Sequence, residues 1–206
     1  LALVDKPRIV LASSIVVYGD QINGQRCYEG MPHGWFFGPY GKSKQAQETM
    51  AHQFIQQGLD IRMVRPANVY GAGSKPWVDD VCTELLKGMP VLIAGGNYNA
   101  GLVHVDNVIE VMILACNSGN AQGQIFNAAD EEGITWRQYM KDLAVCCGAP
   151  KPKSIPRIVA KYLAKAGELT YHLMKTENRP PLTAEALNLV GSNHRIDMTK
   201  TKELLG

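Results

Sequence analysis

Tyr40 and Lys44 lie four residues apart in "GPYGKSKQAQETM", where a helix is expected to begin. On a helix, positions i and i+4 share a face, so the phenol and the ammonium become neighbours while Lys42 points elsewhere. The pairing suits proton transfer. A tyrosine works as an acid/base near neutrality only if its pKa falls from about 10 to about 7, a change of about 4 kcal/mol. One ammonium ~4 Å away, at an effective dielectric of about 20, supplies roughly that much. The same spacing also arises by chance on solvated helix faces, so the pair needs supporting groups. Ser14 is one, 26 residues before Tyr40 at the end of "RIVLASS". A hydroxyl there can donate to a substrate oxygen. Another is "VRPANVYG", where Pro66 and small residues let the chain pass close to a flat ring.

These residues need elements to place them. "RIVLASSIVVYG" is a β-branched run ending in small polar residues, as a buried parallel strand does. Residues 20 to 38 read as a Gly-rich loop with Pro32. A helix follows from about Tyr40 to Gln57, closed by Gly58. "DIRMVRP" is a second strand and "NVYGAGSKP" a loop. "VDDVCTELLKG" is a helix and "PVLIAGG" a short strand. "GLVHVDNVIEVMILAC" starts as a strand and turns helical with Asp106 as N-cap. "GQIFNAAD" is a strand, and Thr135 with Gln138 forms a capping box for a helix reaching Cys147. "KPKSIPRI" connects to an amphipathic helix from Ile158 to Met174, with Lys161, Lys165 and Glu168 on its polar side. A membrane-surface helix fits that pattern, and so does a helix packed in a substrate lobe, the reading adopted. A short helix, a strand-like piece and a last helix end the chain.

Strands alternating with helices indicate an α/β fold with a Rossmann-like parallel sheet. We assign residues 1–150 to the second half of a nucleotide-binding domain with some substrate-lobe segments. Residues 151–206 are assigned to a small α-rich substrate-binding lobe. Ligands of such sheets sit at the carboxyl ends of strands, where Ser13–Ser14 and Arg65–Asn68 fall.

The 206 residues suffice for one domain with a small appendage, and the formal charge of +2 leaves no footprint for nucleic acid. No apolar stretch nears the ~20 residues of a membrane span, and the start does not read as a signal peptide. Cys27, Cys82, Cys116, Cys146 and Cys147 show no CxxC spacing. They read as buried free thiols in a reducing, cytoplasmic setting, in preference to a redox device at Cys146–Cys147. No metal site is expected.

"LASSIVVYGD", "PYGKSKQAQE", "VRPANVYGAG" and "LVHVDNVIEV" come in the order and approximate spacing of the extended short-chain dehydrogenase/reductase superfamily. The chain resembles its NAD-dependent epimerase/dehydratase group, including 3β-hydroxysteroid dehydrogenase-like members. The resemblance implies NAD or NADP as cofactor and a small-molecule substrate. It implies that Tyr40 is the general acid/base and that Lys44 lowers its pKa and holds the nicotinamide ribose. The charge of an oxidised nicotinamide would lower it further. Ser14 would orient the reacting oxygen, with Ser13 beside the cofactor. Pro66, Ala67, Asn68 and Val69 would contact the nicotinamide, with Asn68 also reaching substrate. A homodimer is a further implication, through residues 45 to 57 near Met50, Ala51 and Phe54.

One departure is large. The family's Gly-rich phosphate turn, GxxGxxG between a strand and a helix, is not found. "GAGSKP" and "GGNYNAG" are better read as loops. The expectation is therefore a carboxyl-terminal portion whose amino-terminal half is missing, inactive alone and weak or silent in dinucleotide binding.

Ile15–Val16 stand where nucleotide-sugar dehydratases carry Asp-Glu, which disfavours dehydration. "NAGLVHVDN" lacks the Arg with which 4-epimerases clamp diphosphate, although Arg179 or Arg195 could substitute. His104 reads as a packed strand histidine. The tail is similar to those of 3β-hydroxysteroid dehydrogenase-like and dihydroflavonol-reductase-like members, so oxidation or reduction of an apolar secondary alcohol or ketone is preferred. A nucleotide-sugar 4-epimerase is the alternative, followed by a non-catalytic dinucleotide-binding regulator.

Overall fold

The computed structural model describes residues 7–130, 133–174 and 182–206. Arg179 lies outside them. The main sheet has three parallel strands: β1 (Ile9–Ala12), β3 (Ile61–Pro66) and β7 (Ile125–Ala128), in the order β1-β3-β7. Ile9 pairs with Ile61, and Met63 with Ile125. Three two-stranded parallel ladders surround it. They join β2 (Arg26–Cys27) to β9 (Arg195–Ile196), β4 (Asn68–Tyr70) to β6 (Leu102–His104), and β5 (Pro90–Ile93) to β8 (Lys153–Ile155). The helices are α1 (Pro39–Gln56), α2 (Asp80–Leu86), α3 (Val105–Asn117), α4 (Trp136–Cys146), α5 (Arg157–Met174), α6 (Ala184–Val190) and α7 (Thr199–Leu205).

β3 is the central strand, and all six of its residues are buried. Side chains alternate across a sheet, and the two faces of β3 meet different helices. Ile61 and Met63 pack with Ala51 and Ile55 of α1. Val64 packs with Val108 and Met112 of α3 on the other side. Each face also carries a buried arginine. Arg62 Nη1 donates to the carbonyls of Ala115 and Cys116, both at 2.5 Å, satisfying the last turn of α3, and its other nitrogens hold Asp60. Arg65 binds Glu48 of α1 through two parallel N–H···O bonds of 2.9 and 2.7 Å. Its guanidinium lies 4.9 Å from the Tyr18 ring centroid.

Glu48 has no solvent exposure. It also accepts from the Ser13 hydroxyl and lies 2.8 Å from His33 Nε2. The polar interior continues through Tyr18, whose hydroxyl donates to Asn127 Oδ1, and through Glu29, which accepts from the Asn127 N–H. Asn127 Nδ2 donates to the carbonyls of Cys27 and Asp197, so this buried network ties β7 to β2 and to the end of the chain.

Several local expectations change. The first strand stops at Ala12, because Ser14 accepts from Val16 N–H and starts 3-10 turns over Ile15–Ile22. β1 is only partly buried, and one of its edges has no partner strand among the described residues. Within the expected loop at 20 to 38, Arg26–Cys27 form a strand, and Gly19 and Gly34 bring two passes of chain into backbone contact. A Cβ on Gly19 would lie 2.3 Å from Trp35 O, and one on Gly34 2.0 Å from Tyr18 O. "NVY" is a strand paired with β6 rather than loop. α3 begins one residue before Asp106, with His104 as N-cap. Its ring nitrogen accepts from Asp106 N–H and its ring lies 5.2 Å from that of Tyr70, so His104 is both the last, packed residue of β6 and the cap of α3. Thr135 caps α4 as expected, but the Gln138 side chain goes to Asp142 and the box is half formed. Of the five thiols only Cys27 is buried, and Cys146 is exposed. Burial and a hydrogen bond with Cys147 push the Cys82 thiol up to about 11. No helix among the described residues is long and apolar enough to cross a membrane.

Burial alone would raise the pKa of Glu48. The hydrogen bonds from Arg65, His33 and Ser13 and the Arg65 charge overcome it and hold the carboxyl at about 2. A carboxyl lowered in the folded state contributes stability above its ordinary pKa of 4.5, and this is lost as pH falls toward 2. Glu48→Gln leaves Arg65 buried without a countercharge and should lower the unfolding free energy by about 3 kcal/mol, measured by urea titration at neutral pH. The loss of stability between pH 4.5 and 2 should be shallower in that variant than in the parent.

Candidate active site

Tyr40, Lys44 and Glu48 follow one another at i, i+4 and i+8 on one face of α1. Exposure falls along that line. Tyr40 is 44% exposed, Lys44 is half-buried and Glu48 is fully buried. The buried anchor at Glu48 therefore sets the rotation of the helix and turns Lys44 to the carboxyl end of β1. Lys44 Nζ donates to the carbonyl of Ala12, the last residue of β1, at 2.7 Å and to Gln47 Oε1 at 3.1 Å. It stands 5.9 Å from the Tyr40 ring centroid. An ammonium has three N–H donors, so one remains for a further partner. Partial burial lowers the Lys44 pKa, and the Glu48 carboxylate offsets part of that.

Ser14 is half-buried, two residues beyond the Ala12 carbonyl that Lys44 holds. Its oxygen accepts from Val16 N–H, and its hydroxyl hydrogen has no acceptor among the described residues. Gln45 fastens the same region by donating to the carbonyls of Val17 and Gly34.

The start of α1 is held by a residue that sequence reasoning missed. No side chain of its own caps the helix, and Pro39 fills the first turn. Glu185, in the first turn of α6, instead accepts from Gly41 N–H at 2.6 Å. A Cβ on Gly38 would sit 2.7 Å from the Glu185 carboxylate, so glycine permits the approach. An anion at a helix N-terminus is favourable. The only sequence signal was an acidic residue inside another short helix, 144 positions away.

Other expected site residues sit differently. Ser13 points inward and gives its hydroxyl to Glu48. Pro66 and Ala67 are buried. Asn68 is 3% exposed and donates Nδ2 to Ala100 O at 2.7 Å. Val69 is half-buried. Two open clefts lie elsewhere. One of about 470 Å³ runs between α3 and α7 past Asn107, Val111 and Leu205. The other, about 390 Å³, is lined by Arg26, Asn99, Gly101, Asp130, His194 and Arg195. Neither includes Ser14, Tyr40 or Lys44, so the polar residues mark the candidate site more clearly than cavity volume does. No group of three or more metal-ligating side chains able to hold an ion occurs among the described residues.

Parallel strands with crossover helices, and polar groups gathered at a strand's carboxyl end, are features of a Rossmann-type α/β protein. The chain belongs to the NAD dependent epimerase/dehydratase family, whose model matches residues 2–129. It is 27% identical over 212 residues to a 3-beta-hydroxysteroid dehydrogenase of Mycolicibacterium neoaurum, covering 96% of this chain and 56% of that one. It is 30% identical to the UDP-glucose 4-epimerase of Thermus thermophilus solved with NAD, at a TM-score of 0.56 over 72% of this chain and 51% of that one. A dTDP-glucose 4,6-dehydratase of Streptomyces venezuelae shares the fold at a TM-score of 0.68, with 23% identity over 97% of this chain and 54% of that one. The chain spans about half the length of most of the curated relatives it matches.

Removing the carboxylate that caps α1 should loosen the helix start. Glu185→Ala is expected to cost about 1 kcal/mol, read as a lowered urea midpoint with an unchanged slope.

Proposed function

We propose that this chain carries the proton-transfer site of an NAD(P)-dependent oxidoreductase acting on a secondary alcohol or ketone. The preferred substrate class is that of 3β-hydroxysteroid dehydrogenase- or dihydroflavonol-reductase-like enzymes. The observation that carries this reading is the exposed Tyr40 ring with the Lys44 ammonium 5.9 Å away, held against β1 with one donor to spare. Tyr40 takes the proton from the substrate hydroxyl in oxidation and returns it in reduction. Lys44 favours the phenolate by its charge. Ser14 donates its free hydroxyl hydrogen to the same substrate oxygen and fixes its direction. NAD or NADP, when bound, accepts or gives the hydride.

The residues present fit the nicotinamide end of such a cofactor. The spare Lys44 donor and the exposed phenol are groups that a ribose and a substrate oxygen could use. They do not fit the pyrophosphate end, since no Gly-rich turn joins a strand to a helix among the described residues. We infer that the adenosine and pyrophosphate contacts belong to chain beyond these 206 residues. The proposed division places the nucleotide-binding part in 1–150 and the substrate lobe in 151–206, although β9 and α7 pack back on the main domain. A homodimer through α1 is also proposed. Met50 and Phe54 are exposed as that requires, while Ala51 packs on the sheet.

One observation favours the second reading, a nucleotide-sugar 4-epimerase. Arg26 and Arg195 are register partners in β2 and β9 and line the same cleft. Arg195 and the nitrogens of Arg26 not held by Asp197 could serve a diphosphate. Asn68, committed to Ala100, gives that reading no help.

In the full-length protein, Tyr40→Phe should keep cofactor binding and lower turnover by about 10²- to 10⁴-fold. Surviving turnover would remove the mechanism and favour a binding role. Turnover of UDP-glucose without net NADH formation would select the epimerase. Calorimetry on this chain alone should show no dinucleotide binding in the micromolar range, and such binding would contradict the assignment of the missing contacts.

A further inference from the structure

Three of the five thiols meet where α2 packs on α4. Cys82 lies in the first turn of α2, while Cys146 ends α4 and Cys147 is its C-cap. Val81 of α2 and Leu143 of α4 pack on the same apolar cluster, built around Trp136 and Tyr139. The Tyr139 hydroxyl donates to the carbonyl of Trp77, just before α2, at 2.7 Å. Leu143 and Cys147 stand four apart and share a face of α4, the face that meets α2.

The sulfurs are in contact across that seam. The Cys82 thiol donates a hydrogen bond to Cys147, whose own thiol lies 3.9 Å from the carbonyl of Ala144. Cys82 and Cys147 are half-buried and Cys146 is exposed, so a small oxidant can reach the group from solvent. Burial, the hydrogen bond to Cys147 and the charges at Cys147, Asp79 and Cys146 keep the Cys82 proton in place up to a pKa of about 11. The thiolate is the reactive form of a cysteine, so the first oxidation falls to Cys147 and not to Cys82. Cys146 and Cys147 are adjacent and would close a strained ring, whereas Cys82 arrives from a different helix.

We propose that Cys82 and Cys147 are a peroxide-responsive thiol pair that closes to a disulfide and joins α2 to α4. In the first step the Cys147 sulfur attacks one peroxide oxygen. The O–O bond breaks, Cys147 becomes a sulfenic acid and one water leaves. In the second step the Cys82 sulfur attacks the Cys147 sulfur. The S–S bond forms, the S–O bond breaks, and the hydroxide departs with the Cys82 proton as a second water. Two thiols together lose two electrons, and one peroxide is reduced to two waters. The firmly held Cys82 proton makes the second step the slower one. The proposal does not depend on which reaction the protein catalyses.

The test is treatment of this chain, dilute and fully reduced, with hydrogen peroxide, followed by proteolysis without reductant and peptide mass spectrometry. The expected product is a Cys82–Cys147 link within one chain that dithiothreitol reverses. Cys82→Ser and Cys147→Ser should each abolish the link, and Cys146→Ser should leave it in place. In Cys82→Ser the stranded sulfenic acid should be captured by dimedone on Cys147. Melting temperatures of the reduced variants should stay near the parent value, which separates a lost link from lost folding. The peptide map of the parent chain decides the matter even where a variant folds poorly. A link between Cys146 and Cys147, a link that requires Cys146, links only between chains, or oxidation that leaves Cys82 a free thiol overturns the proposal.

Discussion

Two arginines on one strand organise this molecule. Arg62 and Arg65 lie three residues apart in β3 and face opposite sides of the sheet. Each reaches the crossover helix on its own side, Arg62 at the carboxyl end of α3 and Arg65 at Glu48 in α1. Neither could be buried without partners, because the desolvation of a charge exceeds any packing gain unless its hydrogen bonds are made. The sheet and its helices are thus bound to one relative position by groups that tolerate little slippage.

The chemistry inherits that rigidity. Glu48 sits at the buried end of the face that carries Lys44 and Tyr40 at its rim. A helix free to roll would aim Tyr40 differently with each small rotation. Here the bidentate pair fixes the roll, Gln45 fixes the neighbouring loops, and Glu185 fixes the helix start. A proton-transfer group needs such positioning, since misplacement of about 1 Å is costly in rate. The supporting residues outnumber the three that would touch substrate or cofactor.

Much of this was legible in the sequence, for identifiable reasons. Tyr40 and Lys44 are linked by helical spacing, a local property, and β3 is an unbroken run suited to burial on both faces. The directions of Ser13 and Asn68 were not legible, because a position at a strand end says nothing about which way the side chain turns. Ser13 turns to Glu48 and Asn68 to Ala100. Glu185 was invisible because its partner lies 144 residues away and only folding brings them together.

The unpaired side of β1 carries one further consequence. Ile9 to Ala12 present backbone N–H and C=O groups along an edge that no described strand completes. Such an edge is a template for strand addition. Handling this chain in isolation is therefore a problem of colloidal behaviour as much as of folding. At high concentration its first strand competes for neighbours, and conditions that shield that edge will decide how much protein stays in solution.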